Sequence, residues 1–260
     1  MTPFLLFADH TDESCQFKIH QSTNFFISCH ILARTFRLKI VGYLNYPLEQ
    51  GYNLYSPTFD GIGKAINIQD IKLVGSEGWS TEYIYILDAE GLLTDQSYSW
   101  QCPDNTGLDH FCWIDDLTSE EADVEIAAGT GFYLYADSEG LEMQSAGQVK
   151  VGGYSYPLAQ GYNITGNFCP ANVSLQSITI DGSEGWATEF IYILDTDGLL
   201  TDQSYTWQCP DNTGLDHFCW IDEMTGEEAD VTVPAGTGIY LYADSEGLSL
   251  KLPAVIPAAK

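Results

Sequence analysis

The sequence predicts an all-β protein of two tandem antiparallel β-sandwich or barrel-like domains that arose by internal duplication. Turn-forming sequences recur about every 8 to 12 residues, between short segments rich in β-branched and aromatic residues. No apolar stripe with the 3.6-residue period of a helix runs for more than about two turns, which argues against alternating strands and helices. A long segment also occurs twice with few differences, and this predicts two copies of one domain.

The repeat defines the domain organisation. Segment 75–141 recurs as 182–248, and 55 of the 67 aligned positions are identical. Segment 46–54 matches 156–164 at a slightly larger offset, so the first copy has three extra residues, which we assign to a loop. The identity shows common ancestry and singles out no functional residue. The expected parts are a leader at 1–36, a first β module at 37–146, a second at 147–252 and a tail at 253–260.

The strands can be followed along the second copy. Segment 189–195 is β-branched and aromatic on both alternating faces, which is typical of a central strand, and it runs into the turn sequence 195–198. Segment 229–233 alternates with period two, 234–238 supplies a turn and 239–242 resumes as a strand. The first copy has the same pattern at the equivalent positions.

The first 36 residues have no counterpart in the repeat. They are a poor signal peptide, because Met1 to Pro3 offers no basic region and the apolar run that follows is only five residues long. We interpret this segment as a variable leader outside the repeated fold, or as a start placed upstream of the first module.

The charge of the chain restricts its partners. There are 37 acidic and 9 basic residues, a formal net charge of -28 and a pI near 4.1. This charge repels phosphate backbones and anionic lipid headgroups, so we expect no nucleic-acid partner. No segment approaches the roughly 20 apolar residues that span a bilayer, so we expect no membrane insertion. Other copies of the chain, surface polymers such as glycans, and cations remain as partners.

Short motifs at the two ends of each copy carry a resemblance. Gly51-Tyr52-Asn53 precedes Pro57, Gly161-Tyr162-Asn163 precedes Pro170, and Pro234 to Leu241 forms a Pro-Ala-Gly-x-Gly-x-Tyr-Leu segment. In these motifs the chain resembles repeat modules of secreted and surface-attached bacterial proteins, although Ala127 stands in the first copy where the second has Pro234. The resemblance covers about 215 residues. It implies an exported, non-catalytic building block at an extracellular or cell-surface location, and no catalytic residues are carried over.

Four of the seven cysteines recur as two pairs, Cys102 with Cys112 and Cys209 with Cys219. Each pair brackets the same nine residues between two aromatic segments, a spacing that suits a loop-closing disulfide. Such a bridge stabilises a module by roughly 2.5–3 kcal/mol in the loop-entropy model. Two alternatives stay open: buried reduced thiols, and zinc held by Cys209, His217 and Cys219. We assign no partner to the remaining cysteines, which are Cys15, Cys29 and Cys169.

Two acidic loops in each copy are candidates for calcium. Between residues 151 and 250 there are 15 acidic residues and no Lys or Arg, so a bound divalent cation or ordinary salt screening must relieve the repulsion. The alternative is that these residues cap the backbone of their own turns. The first loop contains Asp211, Asn212 and Asp216 with Asp222, mirrored by Asp104, Asn105, Asp109 and Asp115. The second contains Asp195 and Asp197 with Asp202, mirrored by Asp88, Glu90 and Asp95. No other cofactor is expected.

The tryptophans are candidates for stacking on sugar rings. We single out Trp79 and Trp100 in the first copy and their equivalents Trp186 and Trp207 in the second. Core packing is the competing interpretation, because Trp207 lies in an alternating strand pattern.

Three function classes follow. The first is a non-catalytic extracellular or cell-surface protein acting in adhesion, scaffolding or polymer assembly. The second is a carbohydrate-binding module that uses exposed Trp and Tyr side chains. The third is a glycosidase built from a carboxylate pair such as Glu184 and Glu189, although nothing distinguishes that pair from other carboxylates. The chain contains no serine-nucleophile elbow, phosphate loop or zinc-protease helix motif. We therefore expect a non-enzyme.

Overall fold

The fold is known from a computed structural model. It describes residues 14–20, 24–30, 40–59, 65–87, 93–103, 111–127, 129–149, 152–194, 200–210 and 218–254. Strands make up 56% and helices 4%, which confirms the predicted all-β class. The sheets are small and antiparallel and have a propeller-like arrangement with four blades. No helix among the described residues is long and apolar enough to cross a bilayer.

Two strands precede the repeat. Strand β1 (Ser14–His20) pairs antiparallel with β2 (Asn24–His30) to form a two-stranded sheet of its own. The register places the backbone of Cys15 opposite that of Cys29. Part of the segment expected as a leader therefore forms a hairpin that shares no sheet with the repeat.

The described residues of the first half of the repeat, within 40–149, form ten strands in three sheets. A five-stranded sheet has the order β4-β11-β7-β8-β9, a three-stranded sheet has the order β3-β12-β6, and β5 pairs with β10. A 3-10 turn covers Ile68–Asp70. The strands are β3 (Ile40–Pro47), β4 (Gly51–Tyr55), β5 (Ile66–Asn67), β6 (Lys72–Val74), β7 (Trp79–Leu87), β8 (Leu93–Gln101), β9 (Cys112–Asp115), β10 (Glu125–Ile126), β11 (Phe132–Ala136) and β12 (Glu142–Val149).

The second half, residues 152–254, has the same strand orders. Its sheets are β14-β21-β17-β18-β19, β13-β22-β16 and β15-β20, with a 3-10 turn at Leu175–Ser177. The strands are β13 (Tyr154–Pro157), β14 (Gly161–Gly166), β15 (Val173–Ser174), β16 (Thr179–Asp181), β17 (Trp186–Leu194), β18 (Leu200–Gln208), β19 (Cys219–Asp222), β20 (Thr232–Val233), β21 (Gly238–Ala243) and β22 (Ser249–Leu252).

Each half has one hydrophobic core, shared by the inner faces of its five-stranded and three-stranded sheets. Trp113 and Trp220 are fully buried at equivalent positions. The indole Nε1 of Trp113 donates to the carbonyl of Ile71 at 2.8 Å, and that of Trp220 donates to Ile178 at 2.7 Å. A buried indole N–H without a partner is costly, so these bonds fix the ring positions in both cores.

The two halves are joined by contacts that are equivalent in both directions. Leu54 on β4 lies over Gly238, and Ile164, its counterpart on β14, lies over Gly131, so a Cβ on either glycine would overlap the facing side chain. The backbone N–H of Gly131 also donates to the carbonyl of Ile164 at 3.0 Å. Glycine is needed at both positions because the two backbones approach closely. Ala235 of the second half packs within the core cluster of the first.

Candidate binding surface

The five-stranded sheet of the first half carries tyrosines on the face that points away from the core. Along β11, Phe132 and Leu134 are fully buried, whereas Tyr133 and Tyr135 between them are half-buried, as expected when alternate side chains point to opposite faces. The register places Tyr135 opposite both Tyr52 on β4 and a tyrosine of β7. The first aromatic face consists of Tyr52, Tyr83, Tyr85, Tyr133 and Tyr135.

These tyrosines pack against one another. The ring centroid of Tyr52 lies 5.1 Å from that of Tyr135, 6.0 Å from that of Tyr133 and 6.1 Å from that of Tyr85. Such spacings are within the range of favourable aromatic pairs. The contacts order the rings and leave one side of the layer open.

The second half has an equivalent layer. Tyr162 on β14 stacks on Tyr240 with centroids 4.8 Å apart and contacts Tyr242 edge-on at 5.0 Å. Tyr162 is the most exposed aromatic side chain of this layer. The second aromatic face consists of Tyr162, Phe190, Tyr192, Tyr240 and Tyr242. None of the ten aromatic side chains on the two faces belongs to a core cluster or packs against one.

The two faces approach each other near the join between the halves. Partial burial raises the pKa of Tyr133, and the nearby Tyr240 raises it further. Burial also raises the pKa of Tyr85 and Tyr192. The hydroxyl groups of Tyr85, Tyr133 and Tyr192 therefore stay protonated at neutral pH and remain able to donate hydrogen bonds.

A carboxylate lies near each face, directly after the last strand of the five-stranded sheet. Asp116 accepts hydrogen bonds from the hydroxyl groups of Ser97 at 2.5 Å and Ser99 at 2.6 Å. At the equivalent place Glu223 accepts a hydrogen bond from Ser204. An aromatic surface with neutral hydroxyls and a negative margin suits a neutral polar polymer better than an anion.

The exposed tryptophans form a second feature at one end of the same sheets. Trp79 is 70% exposed and Trp186 is 67% exposed. The indole Nε1 of Trp79 donates to Glu77 at 2.8 Å, and that of Trp186 donates to Glu184 at 2.8 Å. Each indole is therefore held in place by a carboxylate rather than by packing.

A register shift separates each exposed tryptophan from a buried glutamate on the same strand. The register of β17 shifts between Trp186 and Glu189. Glu189 is only 2% exposed and accepts hydrogen bonds from the hydroxyl groups of Ser183 at 2.8 Å and Thr188 at 3.2 Å. The equivalent Glu82 has the same two kinds of partner. The pairing sets Trp186 opposite Gln208 and Glu189 opposite Trp207, so the tryptophan and the glutamate lie on opposite faces of the sheet.

A hollow of about 290 Å³ opens beside the second exposed tryptophan, lined by Ser183, Glu184, Trp186 and Phe218. A separate cavity of about 150 Å³ lies in the apolar interior of the second half. Of these two spaces, only the hollow beside Trp186 is lined by both aromatic and charged side chains. We name it the Trp186 hollow.

Two of the four tryptophans proposed for stacking belong to the core. Trp100 and Trp207 are 2% and 3% exposed and stack on Phe111 and Phe218 with centroids 6.0 Å and 5.9 Å apart. The stacking hypothesis is wrong for these two rings, because the sheet covers them. It remains for Trp79 and Trp186.

The described calcium candidates cap their own turns. Asp115 Oδ1 accepts the backbone N–H groups of Leu117 and Thr118, and Asp222 Oδ1 accepts those of Met224 and Thr225, at 2.8 to 3.2 Å. Among the described residues, no three His, Cys, Asp or Glu side chains converge on a metal-sized site. For Asp95 and Asp202 the backbone is described but the side chain is not. The remaining candidates lie outside the described residues: Asp88, Glu90, Asp104, Asn105, Asp109, Asp195, Asp197, Asp211, Asn212 and Asp216.

In each pair the first cysteine directly follows one strand and the second begins the neighbouring strand. Cys112 is buried, and its backbone is opposite Gln101, the residue before Cys102. The described part of the chain contains no disulfide bond, so the pairing, with Cys209 and Cys219 as its equivalents, stays a prediction. Burial raises the pKa of the Cys169 thiol to about 11. Cys169 therefore stays protonated at neutral pH.

Comparison with known proteins finds no match: no family model, no curated protein and no solved structure resembles the chain significantly. The aromatic faces were not singled out in the sequence. Their signal is present as the Tyr-x-Tyr patterns at Tyr83 to Tyr85 and Tyr133 to Tyr135.

Proposed function

We propose that the protein is a non-catalytic component of an extracellular or cell-surface layer, acting in adhesion, scaffolding or polymer assembly through its two aromatic faces. In this proposal the chain consists of two β-sandwich domains from a duplicated unit, at residues 37–146 and 147–252, each contributing one face. The observation that carries the proposal is the set of ten aromatic side chains that contact one another and lie outside both cores.

Energetic considerations support a binding role for these faces. Aromatic side chains contribute most of the contact energy in many interfaces, and a cluster outside the core is typical of a surface that meets a partner. Duplication places two such faces on one chain, so that one polymer or two neighbouring molecules can be held at once, with a gain in avidity.

Carbohydrate binding is the second candidate. The exposure of Trp79 and Trp186 favours it, since flat aromatic rings stack on sugar rings and the net charge of -28 disfavours anionic partners. On this alternative the polymer is a neutral glycan.

The experiment compares the native chain with Tyr52→Ser/Tyr162→Ser. Both tyrosines sit on edge strands and contact several members of their face. Leu117→Ser is the control, because Leu117 is exposed and belongs to neither face. Sedimentation over a range of concentrations measures self-association, and co-sedimentation with insoluble neutral polysaccharides measures glycan binding.

We expect the double variant to lose at least tenfold in any association that the aromatic faces carry, which is about 1.4 kcal/mol, whereas glycan binding through Trp79 and Trp186 should persist in it. The control should behave as the native chain does. A native chain that stays monomeric and binds no polymer, or an undiminished double variant, would contradict the proposal.

A further inference from the structure

We propose that the Trp186 hollow, and the equivalent position beside Trp79, binds an ammonium group. This site is separate from the aromatic faces, and the inference does not depend on the function proposed for them. It rests on the chemistry of the walls, the placement of charge and the shape of the hollow.

Aromatic rings form two walls of the hollow. Trp186 is 67% exposed, and Phe218 stacks on the buried Trp207 and so has a fixed position. Gly185 lies against the Phe218 ring, where any Cβ would overlap it. The glycine thus lets the chain turn closely past Phe218. A cation over an indole face is attracted by the electron density of the ring, and tryptophan is the strongest side chain in this role.

The carboxylate of Glu184 sets the orientation and the charge of the site. One of its oxygens accepts the indole N–H of Trp186 at 2.8 Å, which holds the ring beside the hollow. Glu184 is itself exposed, so its charge is available to a ligand in the hollow. Donation of the indole N–H to a carboxylate also increases the electron density of the ring, which strengthens its attraction for a cation.

A second carboxylate lies behind the wall. Ser183 lines the hollow and donates its hydroxyl hydrogen to the buried Glu189. Residues 151–250 contain no Lys or Arg, so no lysine or arginine of that segment neutralises either glutamate. A glutamate carboxyl group therefore lies on both the exposed and the buried side of the wall.

The hydrogen-bonding groups of the hollow also select the ligand. The Ser183 hydroxyl already donates to Glu189 and accepts from the backbone N–H of Gly185 at 3.0 Å, and Glu184 is an acceptor when ionised. A ligand that offers positive charge fits these groups, whereas an anion is repelled. A neutral sugar finds two aromatic walls but no charge complementarity.

The first half repeats the arrangement. The indole Nε1 of Trp79 donates to Glu77 at 2.8 Å, and the backbone N–H of Gly78 donates to Ser76 at 3.1 Å. A Cβ on Gly78 would overlap the Phe111 ring, as at the equivalent glycine of the second half. We therefore expect two sites per chain.

The test is a titration of tryptophan fluorescence with small probes. Trp79 and Trp186 are exposed and the other four indoles are buried, so the two proposed sites dominate any change caused by a solute. Tetramethylammonium represents a quaternary headgroup, and the amide of N-acetyl-lysine represents the lysine side chain of a basic protein. Neopentyl alcohol and the amide of N-acetyl-norleucine are their neutral counterparts, and sodium chloride keeps the ionic strength constant.

We expect saturable binding of at least one charged probe and none of either neutral counterpart. The tighter probe identifies the source as a quaternary headgroup or a primary amine. The double variant Glu77→Gln/Glu184→Gln should bind the probe at least threefold more weakly. The double variant Trp79→Leu/Trp186→Leu should not bind it; because this variant lacks the reporting indoles, binding is measured from the chemical shifts of the probe. Unchanged far-ultraviolet circular dichroism and melting confirm that the variants fold. Equal responses to charged and neutral probes, a response reproduced by sodium chloride alone, or undiminished binding in the glutamine variant would overturn the inference.

Discussion

Replacing Ile239 by Phe should stabilise the protein, because the second half has a cavity where the first half has an aromatic pair. Phe132 occupies the equivalent position in the first half and packs edge-on against Tyr55, with ring centroids 5.3 Å apart. In the second half the corresponding residues are Ile239 and Thr165, and both are smaller. Ile239 lines the apolar cavity of about 150 Å³ together with Leu175.

The cavity sets the expected magnitude. Core cavities cost about 24 cal/mol per Å³, and phenylalanine fills roughly 25 Å³ more than isoleucine, so the gain is about 0.6 kcal/mol. The reciprocal change Phe132→Ile removes the same volume beside Tyr55 and loses an aromatic contact. We expect this change to cost about 1–2 kcal/mol.

Thermal and urea unfolding of the two single variants measure these changes. About 0.6 kcal/mol corresponds to an increase of roughly 1–3 °C in melting temperature for Ile239→Phe, and Phe132→Ile should lower it by roughly 2–8 °C. A decrease for Ile239→Phe larger than its expected gain would show that the walls cannot admit the ring. The melting temperature should rise for Ile239→Phe and fall for Phe132→Ile, and a change of the same sign in both variants would refute the reasoning.

Four further predictions follow. Gly238→Ala should destabilise the chain by about 1–3 kcal/mol in unfolding measurements through overlap with Leu54, and Leu54→Ala should recover part of the loss in the double variant. Burial raises the pKa of Tyr55 to about 12 from an ordinary 10.0, so the unfolded chain releases a proton between these values that the native chain retains. The contribution of Tyr55 to the free energy of unfolding should therefore be constant below pH 10 and fall above it. In urea unfolding, Tyr55→Phe should lose less stability per pH unit above pH 10 than the native chain; an equal loss would contradict the raised pKa of Tyr55. If the two cysteine pairs form disulfides, alkylation of the denatured, unreduced protein should modify four fewer of the seven cysteines than it does after reduction, as read by intact mass. If the acidic loops bind calcium, the melting midpoint should rise with calcium relative to chelator at fixed ionic strength, and an equal midpoint in the two conditions would reject that site.

Local patterns predict the strands of this fold but not which of their faces turns inward. The alternation from Phe132 to Tyr135 indicates a strand with period two, and the structure has one there. Both faces of that strand are apolar or aromatic, so the pattern alone does not separate the core side from the open side. That choice depends on how the two sheets of each half pack together, which involves residues far apart in sequence.

The tryptophans show a second limit. Trp186 and Trp207 lie on the neighbouring strands β17 and β18, yet the first is exposed and the second is buried. The pairing of β17 with β18 sets Trp186 opposite Gln208 and Glu189 opposite Trp207, so the two tryptophans lie on opposite faces of the sheet. Long-range contacts such as Leu54 over Gly238 are likewise absent from any local pattern. The hollow beside Trp186 was therefore predictable only as a Trp and a Glu close together in sequence.

The reciprocal contacts at the join have a consequence for how the chain changes over time. Each half offers the other the same pair of elements, a branched side chain and a glycine backbone, so these contacts are reciprocal, as they are at the isologous interface of a symmetric dimer. In a true homodimer every substitution appears on both sides of the axis. In this chain a substitution changes one half only, as at the equivalent positions Phe132 and Ile239. One half can therefore change in sequence while the other keeps its side of the contact between them.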